Sequence, residues 1–216
     1  MSKSLALVCV DGRPTFPDDV QRRYERILPW MRRFERANEF LFCGYAMLPE
    51  FGYRTISTFP MTDAHQYSLW VLHHLGSFIG DSHVLIFQHD GWIVRPDLWD
   101  ESWLDYDYIG SPWGKECGCY TPGREVGNGG FSVRSRRLME WCATHTWPWG
   151  HNEDTNICIV EREKLDAAGF KFAPVEVARK FSVDSLLDET DFVGSAFGFH
   201  GARHVAAAEK LMESRW

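Results

Sequence analysis

The chain has 216 residues, 44% hydrophobic and 15% aromatic, which excludes a mainly disordered protein and leaves enough apolar side chains for one core. A formal net charge of -7 provides no global basic field to neutralise a nucleic-acid backbone. No stretch approaches the roughly 18 apolar residues of a membrane span, and the opening run is too short for a signal sequence. The expectation is one cytoplasmic domain over residues 1–216 without a transmembrane segment.

Leu5 to Val10 (LALVCV) predicts a buried parallel strand, and Asp11-Gly12-Arg13-Pro14 a loop at its carboxyl end, where α/β sheets bind ligands. Asp18 to Phe34 places Val20, Tyr24, Ile27, Leu28, Met31 and Phe34 at helical spacing, with Pro29 as the expected break or kink. The basic residues Arg22, Arg23, Arg26, Arg32, Arg33 and Arg36 read as a solvated helix face. Glu39 to Cys43 reads as a second strand and Tyr53 to Ile56 as a short third. Thr62 and Asp63 cap a helix over Ala64 to Ile79, striped by Tyr67, Trp70, Val71 and Leu75.

His83 to Gln88 (HVLIFQ) is the next strand, ending at His89-Asp90-Gly91, and Ile109 to Trp113 is a strand end and turn. Lys115 to Val126 is an aperiodic loop holding Cys117 and Cys119. The six cysteines read as reduced thiols, since no second close pair of Cys or His completes a zinc site. Gly127 to Arg134 is glycine-rich and then strand-like. Helices follow at Ser135 to His145 and Glu153 to Ala168, a strand at Phe170 to Ala173, and a short helix at Glu176 to Lys180. Phe197 to Gly201 (FGFHG) reads as a compact turn before a last helix ending near Arg215. This alternation predicts an α/β fold with a mixed, mainly parallel sheet flanked by helices. The ten tryptophans are large rings that fill a core or offer a stacking face to a sugar.

Four segments can carry chemistry. Gln88-His89-Asp90 ends an apolar strand and presents a carboxylate at the ligand-binding edge, as a hard cation bridging a diphosphate requires; Asp90-Gly91 is also an ordinary turn pair. Gly127-Asn128-Gly129-Gly130 permits φ > 0 and close ligand approach, or makes a tight hairpin. Asn152-Glu153-Asp154 starts a helix, where acids are favoured by the dipole and one of them can deprotonate a hydroxyl. Adjacent helical residues point about 100° apart, so a single base is expected, and Asp154 is chosen. Phe199-His200-Gly201 could bring a neutral imidazole onto a metal, or hold an ordinary polar histidine.

Together, LIFQHDG (Leu85 to Gly91), YDYIGSPW (Tyr106 to Trp113), VGNGGFSVRS (Val126 to Ser135), NED, the A-x-x-FS pattern at Ala178 to Ser182 and FGFHG resemble a bacterial and fungal domain-of-unknown-function family of GT-A glycosyltransferase type. The matches reach from about Leu5 to Gly201. The resemblance implies a GT-A fold in which Asp90 is the main metal ligand, Gln88 stands where a first carboxylate is usual, and His200 completes the coordination. It further implies that Asn128, Gly129 and Gly130 contact the donor sugar or acceptor, Asp11 and Arg13 hold the nucleotide, and Trp113 floors the sugar pocket. Glu153 and Asp154 match a segment whose acid is the base of inverting members.

The implied reaction moves a sugar from a nucleotide-sugar donor, a UDP-sugar favoured, to an acceptor hydroxyl. The neutral Gln88 makes Mn²⁺ or Mg²⁺ depend on the arriving diphosphate, and a histidine ligand favours Mn²⁺. Rival readings are a nucleotidyltransferase, against which the lack of a second Asp beside Asp90 speaks, and a non-catalytic sugar- or nucleotide-binding protein, which Gln88 supports.

Overall fold

The computed structural model describes residues 3–46, 51–185 and 190–214. Its centre is β1 (Leu5–Asp11), whose seven residues are all buried. Side chains alternate across a strand, and β1 feeds two cores: Leu5, Leu7 and Cys9 pack beneath α1 (Asp18–Met31), while Ala6, Val8 and Val10 pack beneath α2 (Ala64–His73). A strand buried on both faces has no polar side to show, which is why LALVCV is unbroken. Each Leu, Ile or Val so buried contributes about 1.5–3 kcal/mol.

Around β1 lie β2 (Glu39–Gly44), β3 (Arg54–Ser57), β4 (His83–Phe87), β5 (Tyr108–Gly110) and β6 (Ser132–Ser135) in the order β3-β2-β1-β4-β6-β5. The first four of that order are mutually parallel, and β6 runs antiparallel to both β4 and β5. The expected mixed, mainly parallel sheet with helices on both faces is present. Asp63 caps α2 by accepting from the Gln66 N–H at 2.8 Å, and a 3₁₀ turn at Leu75–Phe78 continues it. α3 (Arg136–Thr144) follows β6 directly.

Several expectations need correction. Pro29 does not break α1, which runs on to Met31: it sits in the last turn, where few helical bonds remain to be lost. The single helix expected over Glu153 to Ala168 is α4 (Glu153–Thr155), a π turn at Asn156–Val160 and α5 (Arg162–Ala167). The π turn is closed by Glu161 N–H donating to Asn156 O at 2.9 Å. Phe170 to Ala173 is not a strand and pairs only through Phe172 with Tyr108, confined between Gly169 at φ 76° and Pro174. Phe197 to Gly201 is more than a turn: β8 (Gly198–Phe199) pairs in parallel with β7 (Ser182–Val183), which ends α6 (Val175–Phe181). Gly198 allows this because the Phe131 ring occupies the space a Cβ would need.

α7 (Val205–Glu213) closes the chain, and the Arg215 end expected for it lies outside the described residues. Its Glu209 and Glu213 face Arg23 and Arg26 of α1 at 3.6 and 2.7 Å, so part of the arginine strip is paired rather than simply solvated. Among the described residues, no helix is long and apolar enough to cross a membrane.

Candidate active site

The carboxyl ends of β1 and β4 open into a cleft of about 470 Å³. At the end of β1 the Asp11 carboxylate is enclosed. Arg13 donates to it through Nε at 2.8 Å and through Nη2, and the Tyr24 hydroxyl donates at 2.6 Å. Burial works against the Arg13 charge, but its hydrogen bond and ion pair with Asp11 hold its pKa above the ordinary value. Arg13 Nη2 also lies 3.2 Å from His89 Nδ1. Asp11 and Arg13 both line the cleft, the carboxylate as anchor and the guanidinium as the group reaching outward.

At the end of β4, Gln88 and Gly91 exchange backbone hydrogen bonds at 3.0 and 3.2 Å and turn the chain through His89 and Asp90. Asp90 Oδ1 is buried without a hydrogen bond, 3.6 Å from His89 Nδ1 and 3.8 Å from His200 Nε2. Burial pushes the His89 pKa down, with Asp90 opposing and Arg13 reinforcing. His200 arrives on the residue after β8, its N–H donating to Val183 O at 2.8 Å, while Gly201 N–H donates to Asp90 O at 2.8 Å. Residues 90 and 200 are therefore neighbours. Asp90 itself does not line the cleft; Gln88, His89 and His200 do.

The loop before β6 completes the wall. Asn128, not a glycine, takes the left-handed conformation, at φ 60°. The glycines around it serve close packing instead. A Cβ on Gly127 would strike the Trp113 ring, one on Gly129 would strike Glu153 and Arg134, and one on Gly130 would strike His200 and Gln88. Trp113 is thus a core ring, 4% exposed, that supports the loop from below and does not line the cleft.

Glu153 and Asp154 have different surroundings. Glu153 is 3% exposed and paired at 3.0 Å with Arg134, itself 2% exposed, while its second oxygen accepts from Ser68 at 3.2 Å. Burial pushes the Glu153 carboxyl up, the Asp154 charge adds to this, and Arg134 opposes it. Asp154 is partly exposed on the cleft wall, accepting the Gly129 N–H at 2.8 Å and the Thr155 N–H at 2.6 Å. Of the two, Asp154 is the carboxylate that can meet a ligand without breaking a buried ion pair.

The cleft also takes in Met61, Asp63, Ala64, Tyr67 and Ser68, which sequence reasoning missed. A signal was present: a helix following a parallel strand starts at the carboxyl edge of the sheet, so the Asp63 cap already placed the start of α2 there. The Tyr67 hydroxyl is buried without a hydrogen-bond partner, and burial raises its pKa well above the ordinary value. Arg134 could have been suspected as well, as a cation inside a strand that had to be covered on both faces.

Metal fit rests on Asp90 Oδ1, an orphaned acceptor beside the His200 imidazole, with the Gln88 amide oxygen across Gly130. Among the described residues, no three His, Cys, Asp or Glu side chains form a preorganised metal group. The donor set suits a cation that takes its remaining ligands from a substrate.

A 3-2-1-4-6-5 sheet with its cleft at the carboxyl edge is the GT-A fold. The galactosyltransferase LgtC, solved with donor and acceptor sugar analogues, superposes with a TM-score of 0.54 at 14% identity, over 97% of this chain and 95% of that one. A mycobacterial protein superposes at 0.52 and 10% identity, over 97% and 71%. The chain belongs to the family described as protein of unknown function DUF5672, which matches residues 51–200. No curated protein matches it.

Proposed function

We propose that the protein is a metal-dependent, inverting glycosyltransferase that moves a sugar from a nucleotide-diphosphate donor, a UDP-sugar favoured, to an acceptor hydroxyl. The observation that carries this reading is the convergence of Arg13, Gln88, Asn128, Asp154 and His200 on one cleft at the sheet edge, with Asp90 Oδ1 lacking a hydrogen bond beside His200. Asp90 and His200, with Gln88, would hold Mn²⁺ or Mg²⁺, which when bound supplies positive charge to the departing diphosphate. Arg13 offers a cation fixed by Asp11 to the same phosphates. Asn128, Gly129 and Gly130 leave room for a sugar to approach the backbone closely. Asp154 accepts the proton of the acceptor hydroxyl as its oxygen attacks the anomeric carbon and the bond to the diphosphate oxygen breaks. Base and leaving group on opposite faces of the sugar give inversion.

UDP release from UDP-sugars with Mn²⁺ tests the class, because a transferase leaks donor to water and a non-catalytic binding protein does not. Asp154→Asn is expected to lower transfer by roughly 10²–10⁴-fold while UDP binding persists. Near-normal turnover in that variant would remove Asp154 from its role, and activity retained in both Asp154→Asn and Glu153→Gln would end the inverting mechanism.

A further inference from the structure

A second cavity, of about 250 Å³, lies behind Ser68, which also lines the main cleft. Ala64 and Asn152 line the main cleft, and the next residue along α2, His65, and the preceding one in the other segment, His151, line the second. At its rim stands Trp149, 80% exposed. That ring is held against His65, with centroids 4.8 Å apart and planes at 31°. Two of its lining residues each hold a buried polar atom without a hydrogen-bond partner, His65 Nε2 and Asn156 Oδ1. No Lys, Arg, Asp or Glu occurs among the described lining residues. The histidines here do not form a metal group, since no such cluster exists among the described residues.

An exposed aromatic plane beside unsatisfied neutral hydrogen-bonding groups, with no permanent charge, matches the chemistry of a pyranose: an apolar C–H face for the ring and hydroxyls for the amide and imidazole. A phosphate or carboxylate would find no fixed cation here. The volume falls below the roughly 300–1,000 Å³ of sites that enclose whole drug-sized ligands, so it suits one sugar ring.

We propose that this cavity is a saccharide-binding subsite, with Trp149 as stacking platform and His65 and Asn156 meeting ring hydroxyls, and that it holds a carbohydrate acceptor across Ser68 from the cleft that Asp154 lines. The acceptor role rests on the transferase reading above; saccharide binding does not.

The test uses the full chain with ¹⁵N-labelled indoles. It is titrated with methyl glucosides, galactosides and mannosides and with maltose, cellobiose and lactose, while UDP-glucose and UDP-galactose with Mn²⁺ are titrated separately. The Trp149 indole signal is identified by its loss in Trp149→Ala. At least one saccharide is expected to move that signal; Trp149→Ala should then weaken binding about tenfold, and Trp149→Phe should retain most of it. A panel that leaves the signal unmoved, or a Trp149→Ala variant that binds like the wild type, overturns the subsite. Saccharide binding at Trp149 without donor binding supports the subsite and overturns the transferase reading. Donor binding and hydrolysis without saccharide binding at Trp149 overturn the subsite alone.

Discussion

Gly130 leaves no room for a Cβ beside His200 and Gln88. Its φ is not in the left-handed region, so Gly130→Ala brings no backbone penalty and acts by displacing those two side chains. The variant is expected to fold and to lose about tenfold or more in Mn²⁺-dependent UDP binding by calorimetry. Wild-type affinity would separate His200 from the metal. Glu153→Gln acts on stability instead: it leaves Arg134 buried without its counter-charge, which costs roughly 3–5 kcal/mol and is read by urea unfolding. At this scale the sequence was only partly legible. The nearness of Asp90 to His200 came from resemblance, because a separation of more than a hundred residues carries no spacing signal. Trp113 was misplaced because a tryptophan has the same composition whether it floors a pocket or supports a glycine, and only the loop above it decides.

The elements were legible where burial is two-sided. β1 and β4 have no solvent face, so their apolar runs mark them directly, and Asp63 marks the start of α2. What the pattern could not show were features decided by partners distant in sequence: the two-residue β8, which needs β7 and the Phe131 ring, and the π turn, which needs one carbonyl to choose a donor five residues on. The start of β4 carries its own pH dependence. His83 is buried, and burial, helped by Lys3, lowers its pKa, so the folded state binds its proton less readily than the unfolded state. Its contribution is complete above the ordinary histidine value near about 6.5 and is lost as pH falls through the lower folded value. Urea unfolding at about pH 7.5 and about pH 5 should show a larger loss on acidification for wild type than for His83→Gln.

For the whole molecule, the cleft exists only when segments from Asp11 to His200 are in register, so a ligand that fills it binds the folded state alone. At a donor concentration of about 100 times Kd the expected gain is about 2.7 kcal/mol, or a Tm rise of roughly 5–10 °C for a chain of this size. A nucleotide-sugar panel with Mn²⁺ in a thermal shift assay checks this, and a flat response across UDP-, GDP- and CMP-sugars would count against donor binding.

His200 depends on a strand pair two residues long, whereas Arg13 and Gln88 extend from a six-stranded sheet. The two walls therefore hang on pairings of unequal extent, joined through the common core that Phe197 and Phe199 enter. A molecule spanning both walls acts as a staple: amide exchange at Phe199 and His200 is expected to slow when it binds, toward the rate set by global unfolding.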